Sequence, residues 1–287
     1  MELKKPTTFE EQVTLLERKN IIIKDKDACI NFLSKTNYYR ITGYYLPFIR
    51  KEEKKCFIAL EFQRIQNIYA FDVELRNLIS FAIEKIEVYV RTQLAYHHAH
   101  TYGAEGYMQS SSFNERHNHT TYLKHINTCI SENSNTLVVK HHKKIYDGHF
   151  PIWAIIDFFS VGMLSYFYRG IKNPDKAKIA ENVYGVNYQI LESWLRCLTD
   201  LRNRCAHYSR LYYWIFPAIP KMPSKENYIP TRRLFAQLYM LKLMYPNKED
   251  WNNEFLKPLI KLTKKYKNDI SLKHLDFPYR WKSLLKY

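Results

Sequence analysis

Six residues, Arg202-Asn203-Arg204-Cys205-Ala206-His207, carry the groups in this chain best suited to do chemistry. A histidine moves protons near neutral pH, because its ordinary pKa is about 6.5. An arginine grips a phosphate through two parallel hydrogen bonds and keeps its charge throughout. An asparagine stands beside the arginine. RNA brings its own nucleophile, the 2′-OH, so such groups can cut it without a catalytic Ser, Cys or metal. The spacing also has an ordinary alternative. Arg202 could pair with a carboxylate or cap a helix, and His207 could be a cation favoured at a helix C-terminus.

The segment reads as a helix. Ile190, Leu191, Trp194, Leu195, Leu198, Leu201 and Cys205 recur at intervals of three and four, which predicts a helix over 188–207. Five steps of 100° put Arg202 and His207 about 140° apart around it. Asn203 and His207, four apart, share a face. One straight helix therefore cannot aim Arg202 and His207 at the same phosphate. Two copies meeting across a two-fold axis can, so a symmetric dimer would complete a site.

Another helix must carry this one. No Gly or Pro occurs from Glu61 to Tyr102, and the apolar pattern predicts a helix over 61–100. On it Asp72, Arg76, Glu84, Glu87 and Arg91 fall within an arc of about 120°. Leu75, Leu78, Ile79, Phe81, Ala82, Ile86 and Tyr89 occupy the opposite half. Such a stripe is either a polar network inside a bundle or a solvated face. Glu87 precedes Arg91 by four, the better orientation for a helical ion pair.

Around these two lie other elements. Residues 9–19, behind the cap candidates Thr7 and Thr8, and residues 27–34 predict short helices. The stretch 37–48 packs four tyrosines and Arg40 into a turn-rich cluster closed by Gly43 and Pro47. It reads either as a plug against the core or as an RNA-stacking surface through Tyr38, Tyr39 and Arg40. Residues 97–149 are polar and hold nine of the eleven histidines. They suggest a mobile, partly basic insertion with a loop over 103–121. His97, His98 and His100 have no Cys or acid at ligand spacing beside them, so a metal site is the weaker reading. A third strong helix is predicted over 150–170, with Gly162 permitting close packing, and a short one over 177–184 ends at Gly185. Four prolines make 215–235 irregular. From Lys242 to Tyr287 eleven Lys or Arg stand against five acids, predicting one or two basic helices. No series of alternating residues predicts a sheet, so the fold class is all-α, a helical bundle with helical additions at both ends. The organisation read from this is an N-terminal region over 1–60, a core over 61–214 and a basic region over 215–287.

Composition narrows the function. The chain has 287 residues, 44 Lys plus Arg against 28 Asp plus Glu, and a net charge of +16. That excess suggests a polyanionic partner, although a soluble basic protein without one is the plain alternative. Twenty-four tyrosines interleaved with cations lean toward RNA, whose unstacked bases pack on aromatic faces. Arg204, Arg210, Lys264 and Lys265 are candidate RNA-contacting cations. Seven glycines, with no GxGxxG or GxxxxGK[ST], leave Rossmann and P-loop readings unsupported, and no cofactor is implied. Five cysteines without a CxxC pair suit reduced thiols in a cytoplasm. Residues 1–8 lack the apolar core of a signal peptide. Residues 150–168 approach membrane length, but Pro151 and Asp157 favour a buried helix over a span.

Several blocks in order resemble the Abi-like abortive-infection family (the AbiD/AbiF group) of the HEPN superfamily. They are Asn37-Tyr38-Tyr39-Arg40 with Gly43-Tyr44; Phe71-Asp72 with Leu75-Arg76; Ile83-Glu84-Lys85-Ile86-Glu87 with Arg91-Thr92; Pro151-Ile152-Trp153 and Gly162; and Leu201 to His207 with Arg210-Leu211. The resemblance covers roughly residues 5–215. It implies a helical HEPN core with RxxxxH as a ribonuclease motif, a composite site in a dimer, and metal-free cleavage through 2′-OH attack to a 2′,3′-cyclic phosphate. On it His207 is the general acid or base, Arg202 stabilises the phosphorane, and Asn203 orients His207 or binds phosphate. Glu84 or Glu87 would hold Arg202 or Arg91. A small noncoding RNA that restrains the protein is a further implied partner. Where such proteins often carry Asn-Arg after Arg210-Leu211, this chain has Tyr212-Tyr213-Trp214, so any substrate grip by that pair is in doubt. The alternatives are an RNA-binding protein without turnover and a purely structural interaction protein.

Overall fold

The computed structural model describes residues 3, 5–50, 52 and 54–287. Residues 1, 2 and 4 of the segment read as lacking a signal peptide lie outside them. The fold is all-α. Helices α1 (Phe9–Glu17), α2 (Lys26–Lys35) and α3 (Tyr38–Tyr45) lead into α4 (Phe62–Tyr102). Then follow α5 (His119–Glu132), α6 (Leu137–Ile145), α7 (Ile152–Ile155), α8 (Val161–Gly170), α9 (Asn173–Tyr184) and α10 (Tyr188–Ala206). The chain ends with α11 (Leu234–Met244), α12 (Lys248–Trp251), α13 (Lys257–Lys265) and α14 (Trp281–Leu285). Strand pairing among the described residues is limited to dipeptides. Ile21–Ile22 (β1) pairs in parallel with Leu60–Glu61 (β4), and Ile49–Arg50 (β2) pairs antiparallel with Lys55–Cys56 (β3).

The axis of the molecule is α4. Its 41 residues run unbroken because nothing in them breaks a helix, and it ends where Gly103 takes φ +80°. Its faces are packed by α3, α7, α9, α10, α11 and α13. The motif helix α10 lies between α4, α8, α9 and α11. Asn187 caps it, accepting the Gln189 N–H at 2.8 Å. On α8 a Cβ at Gly162 would meet Thr199 of α10 at 3.6 Å, the ordinary contact of close helix packing.

Three expectations change. The stretch 37–48 is not a chain of turns. Asn37 caps α3 by accepting the Tyr39 N–H at 2.8 Å, and a short 3₁₀ turn, Leu46–Phe48, follows. Residues 150–170 form two helices, because the chain extends at Phe159 and restarts when Ser160 caps α8. The polar region 97–149 is no loose insertion. Its helices α5 and α6 bury Tyr122, Ile126 and Val139 in the core. The C-terminal region supplies the basic helix α13, as its composition predicts, and it is also built into the body of the fold. Helix α11 is apolar and buried almost all round, as a helix packed on every side must be, and Trp251, Phe255 and Leu259 join the same core.

Candidate active site

Helix α10 ends in a Schellman turn. The Ser209 N–H reaches back to the Arg204 carbonyl at 2.9 Å and the Tyr208 N–H to that of Cys205 at 3.0 Å. The residue after the cap must be left-handed there, and Tyr208 occupies that place at φ +54°. A tyrosine is costly where glycine is usual. Tyr208 is 70% exposed. Arg40 of α3 fastens this turn, donating from Nη1 to the Tyr208 carbonyl at 2.5 Å. The exposed aromatic beside His207 went unread in the sequence; the signal was a non-glycine residue just past a helix end.

Beneath the turn lies Asp72, fully buried on α4. It accepts from the Tyr44 hydroxyl at 2.8 Å, the Tyr212 N–H at 2.7 Å and the Leu211 N–H at 3.2 Å. Arg76, one turn on, pairs with it and donates to the Ser209 carbonyl at 3.4 Å. Burial raises the Asp72 carboxyl above the ordinary aspartate value, against the downward pull of Arg76 and of the Tyr44, Leu211 and Tyr212 hydrogen bonds. The polar stripe of α4 is thus a buried network at this end, and it locks residues 209–212 behind the motif. Farther along, Glu87 pairs with Arg91, which donates from Nη2 to the Phe159 carbonyl at 2.7 Å. That carbonyl is free because the helix is interrupted there. Glu84 is exposed. Of the two pairings read for Glu87, the one with Arg91 forms.

The cations around the motif divide sharply. Arg204 lies 3.5 Å over the Trp214 ring and donates to the Arg210 carbonyl at 3.0 Å. Arg210 donates to the Tyr212 carbonyl at 2.6 Å, and its side chain passes so close to α3 that a Cβ at Gly43 would sit 2.8 Å from Nε. Burial lowers the pKa of both. Each therefore serves the fold, where the sequence offered them for RNA. By contrast, the side chains of Arg202, Asn203 and His207 have no hydrogen-bond or ion-pair partner among the described residues.

Those three line two hollows. Arg202 shares one of about 260 Å³ with Ser80, Glu84, Glu87 and Arg91 of α4. Asn203 and His207 line another of about 390 Å³ with Asp200, Trp214 and Arg232. The separation follows the angle expected from the helix, and a single chain does not bring Arg202 and His207 into one cleft. Next to the Arg202 hollow, α4 exposes Phe81 and Val88, 43% and 56% accessible.

The other candidates are scattered. Tyr38 is half-buried, Tyr39 is exposed at 73%, Lys264 is exposed, and Lys265 is paired with Glu74 at 2.6 Å. His98 is buried among Tyr102, Phe113 and Phe167, and His100 turns to the Tyr96 carbonyl at 2.8 Å. Among the described residues no group of three or more His, Cys, Asp or Glu could hold a metal ion. All five cysteines are free and buried. No helix among the described residues is long and apolar enough to cross a membrane.

Comparison with known proteins adds one match. The family described as Abi-like protein matches residues 31–213, a span that holds α3, α4, α10 and the whole motif. No curated protein and no solved structure matches the chain.

Proposed function

The chain belongs to the Abi-like protein family, and from that premise we propose that it is an abortive-infection protein of phage defence, acting in the cytoplasm as a metal-independent endoribonuclease of HEPN type. One observation carries the reading. The three motif residues suited to the chemistry, Arg202, Asn203 and His207, are uncommitted, while Arg204, Arg210, Asp72 and Arg76 are consumed in holding the segment. A fold that spends its neighbouring cations on support and leaves one Arg, one Asn and one His to solvent keeps them for a ligand.

In the proposed reaction the 2′-OH of RNA attacks the adjacent phosphorus and the bond to the 5′-oxygen breaks. His207 transfers a proton in the step. Arg202 holds the charge that gathers on the phosphorane, where a fixed donor helps most. Asn203 holds a phosphate oxygen or the imidazole. Tyr208 offers its ring to a flanking base. Because Arg202 and His207 line different hollows, the working site is composite, formed when two chains meet through the α4 face that exposes Phe81 and Val88. A small noncoding RNA held on the basic surface restrains the enzyme.

A second reading is favoured by the same separation of the two hollows: an RNA-binding protein of a defence or toxin–antitoxin ribonucleoprotein, without turnover. The experiment that divides them is RNA cleavage and RNA binding measured together on wild type and His207→Ala. Cleavage lost with binding kept supports the enzyme. Binding without cleavage in the wild type supports the scaffold.

A further inference from the structure

A further hollow lies away from the motif. It measures about 830 Å³ and opens between the turn at 113–117, the end of α8 and the start of α9. Arg116, Arg169, Lys172 and Lys176 line it, with Glu115 and Glu192 as the acids. Glu192 is answered by Lys176 at 3.3 Å, and Glu115 sits exposed at the rim. The Arg116 and Lys172 side chains are exposed and have no hydrogen-bond or ion-pair partner among the described residues; the Lys172 ammonium lies 5.8 Å from the Tyr102 ring centre and the Arg169 guanidinium 5.5 Å from that of Tyr166.

The walls are fixed in place. Asn114 donates from Nδ2 to the Arg169 carbonyl at 2.9 Å and the Ile171 carbonyl at 3.1 Å, and its N–H donates to the Gly170 carbonyl at 2.8 Å. Buried Lys176 reaches the Arg169 carbonyl at 3.4 Å. His117 stacks on Phe113 at 4.1 Å and fills the space beside Gly170, where a Cβ would fall 2.3 Å from Nδ1. The free cations thus hang over a rigid, aromatic-lined floor. Unlike Arg204 and Arg210 at the motif, the side chains of Arg116, Arg169 and Lys172 donate no hydrogen bond to any described residue, and the ring contacts of Arg169 and Lys172 are long, at 5.5 and 5.8 Å.

We propose that this hollow is a binding site for the phosphate of a nucleotide, held by Arg116, Lys172 and Arg169 with the base against Tyr166. Its volume is that of an ordinary small-ligand site, enough for a nucleotide. Tyr166 is half-buried, and cations beside such an aromatic ring grip a nucleotide without reading its sequence. The phosphate belongs either to a free nucleotide or to an RNA strand. Glu192 stands ten residues before Arg202 on α10, roughly 15 Å along the axis. A strand crossing the hollow would therefore approach the motif within a few nucleotides. The site does not depend on cleavage at Arg202 and His207.

The test uses the full chain carrying Arg202→Ala, so that no probe is cut. A fluorescent single-stranded RNA is titrated by anisotropy at several salt concentrations, and AMP is titrated by calorimetry. Neutralising two cations, Arg116→Gln with Lys172→Gln, should weaken RNA binding roughly tenfold at moderate salt and flatten the log–log salt slope by about 1.4. AMP binding that the double variant abolishes assigns the hollow to a free nucleotide; loss of RNA binding without AMP binding assigns it to a strand. Either outcome upholds the site. Both residues are exposed, and circular dichroism checks the fold. Should the double variant misfold, Lys172→Gln alone reads half the slope change. RNA affinity and salt slope unchanged in the variant, with no AMP binding, would overturn the proposal.

Discussion

At the scale of single residues, proton transfer and charge stabilisation can be separated. On the proposed mechanism, His207→Ala removes a proton-transfer group worth typically 10²–10⁴-fold, and Arg202→Ala removes charge stabilisation that matters in the transition state. Both side chains are unpartnered, so both variants should melt as the wild type does while RNA cleavage and cellular toxicity disappear. Cleavage should continue in EDTA and leave a 5′-hydroxyl and a 2′,3′-cyclic phosphate. A 2′-deoxy substitution at the scissile position should block it, since the nucleophile is gone. Activity lost in EDTA and regained with Mg²⁺ or Mn²⁺ would sink the mechanism. Glu87 has a different duty. It neutralises Arg91, whose other bond holds the Phe159 carbonyl. The pair keeps 13% and 16% of its side-chain surface exposed. Glu87→Ala should therefore cost roughly 2–3 kcal/mol, somewhat below the 3–5 for a wholly buried pair. An unchanged denaturation midpoint would place Glu87 outside the network.

At the scale of elements, the question is how α3 and α10 are held together. Gly43 lets the Arg210 side chain cross α3, and a methyl group there would meet Nε at 2.8 Å. Gly43→Ala should destabilise the fold by about 1–3 kcal/mol through overpacking. The cost should largely vanish in an Arg210→Ala background, where nothing opposes the methyl. A double-mutant cycle with no coupling would show that the helices do not meet there. The same junctions explain what the sequence could reveal. Helices α4, α9 and α10 were legible because their apolar residues keep one period with no breaker and end at glycine or a cap. The division of Arg202 from His207 followed from 100° steps alone. The break at Phe159 was not legible, for it rests on Arg91, 68 positions earlier, taking the freed carbonyl. Nor was the capture of Arg204 and Arg210, whose partners come from an irregular loop with no pattern of its own. In 97–149 abundant histidine and serine masked the few apolar residues, Tyr122, Ile126 and Val139, that anchor two helices. His98 shows the consequence of such burial. Its imidazole is pushed down to about 4 by the loss of water, while the unfolded chain keeps the ordinary 6.5. The unfolded state thus binds the proton first, so stability should be full above pH 6.5 and fall as the pH drops toward 4, by on the order of 3 kcal/mol. His98→Phe should flatten denaturation midpoints across that window; an equal slope in the variant would exclude His98 as the source.

At the scale of the whole molecule, the proposed mechanism requires an active unit larger than one chain, because Arg202 and His207 line separate hollows. Exposed Phe81 and Val88 stand beside the Arg202 hollow, on the face of α4 that a second copy would cover. In a two-fold dimer each composite site would take Arg202 from one chain and His207 from the other. Arg202→Ala and His207→Ala chains, each inactive alone, should then rescue one another when mixed. Every mixed dimer carries one site with both residues altered and one with both intact. Random pairing makes half the dimers mixed, so activity should return to about a quarter of the wild-type level. Adding Val88→Asp to both chains should abolish the rescue and shift sedimentation to the monomer. No recovery on mixing, from chains shown to exchange, would mean that Arg202 and His207 act from a single chain and that α10 must unwind at its end to join them.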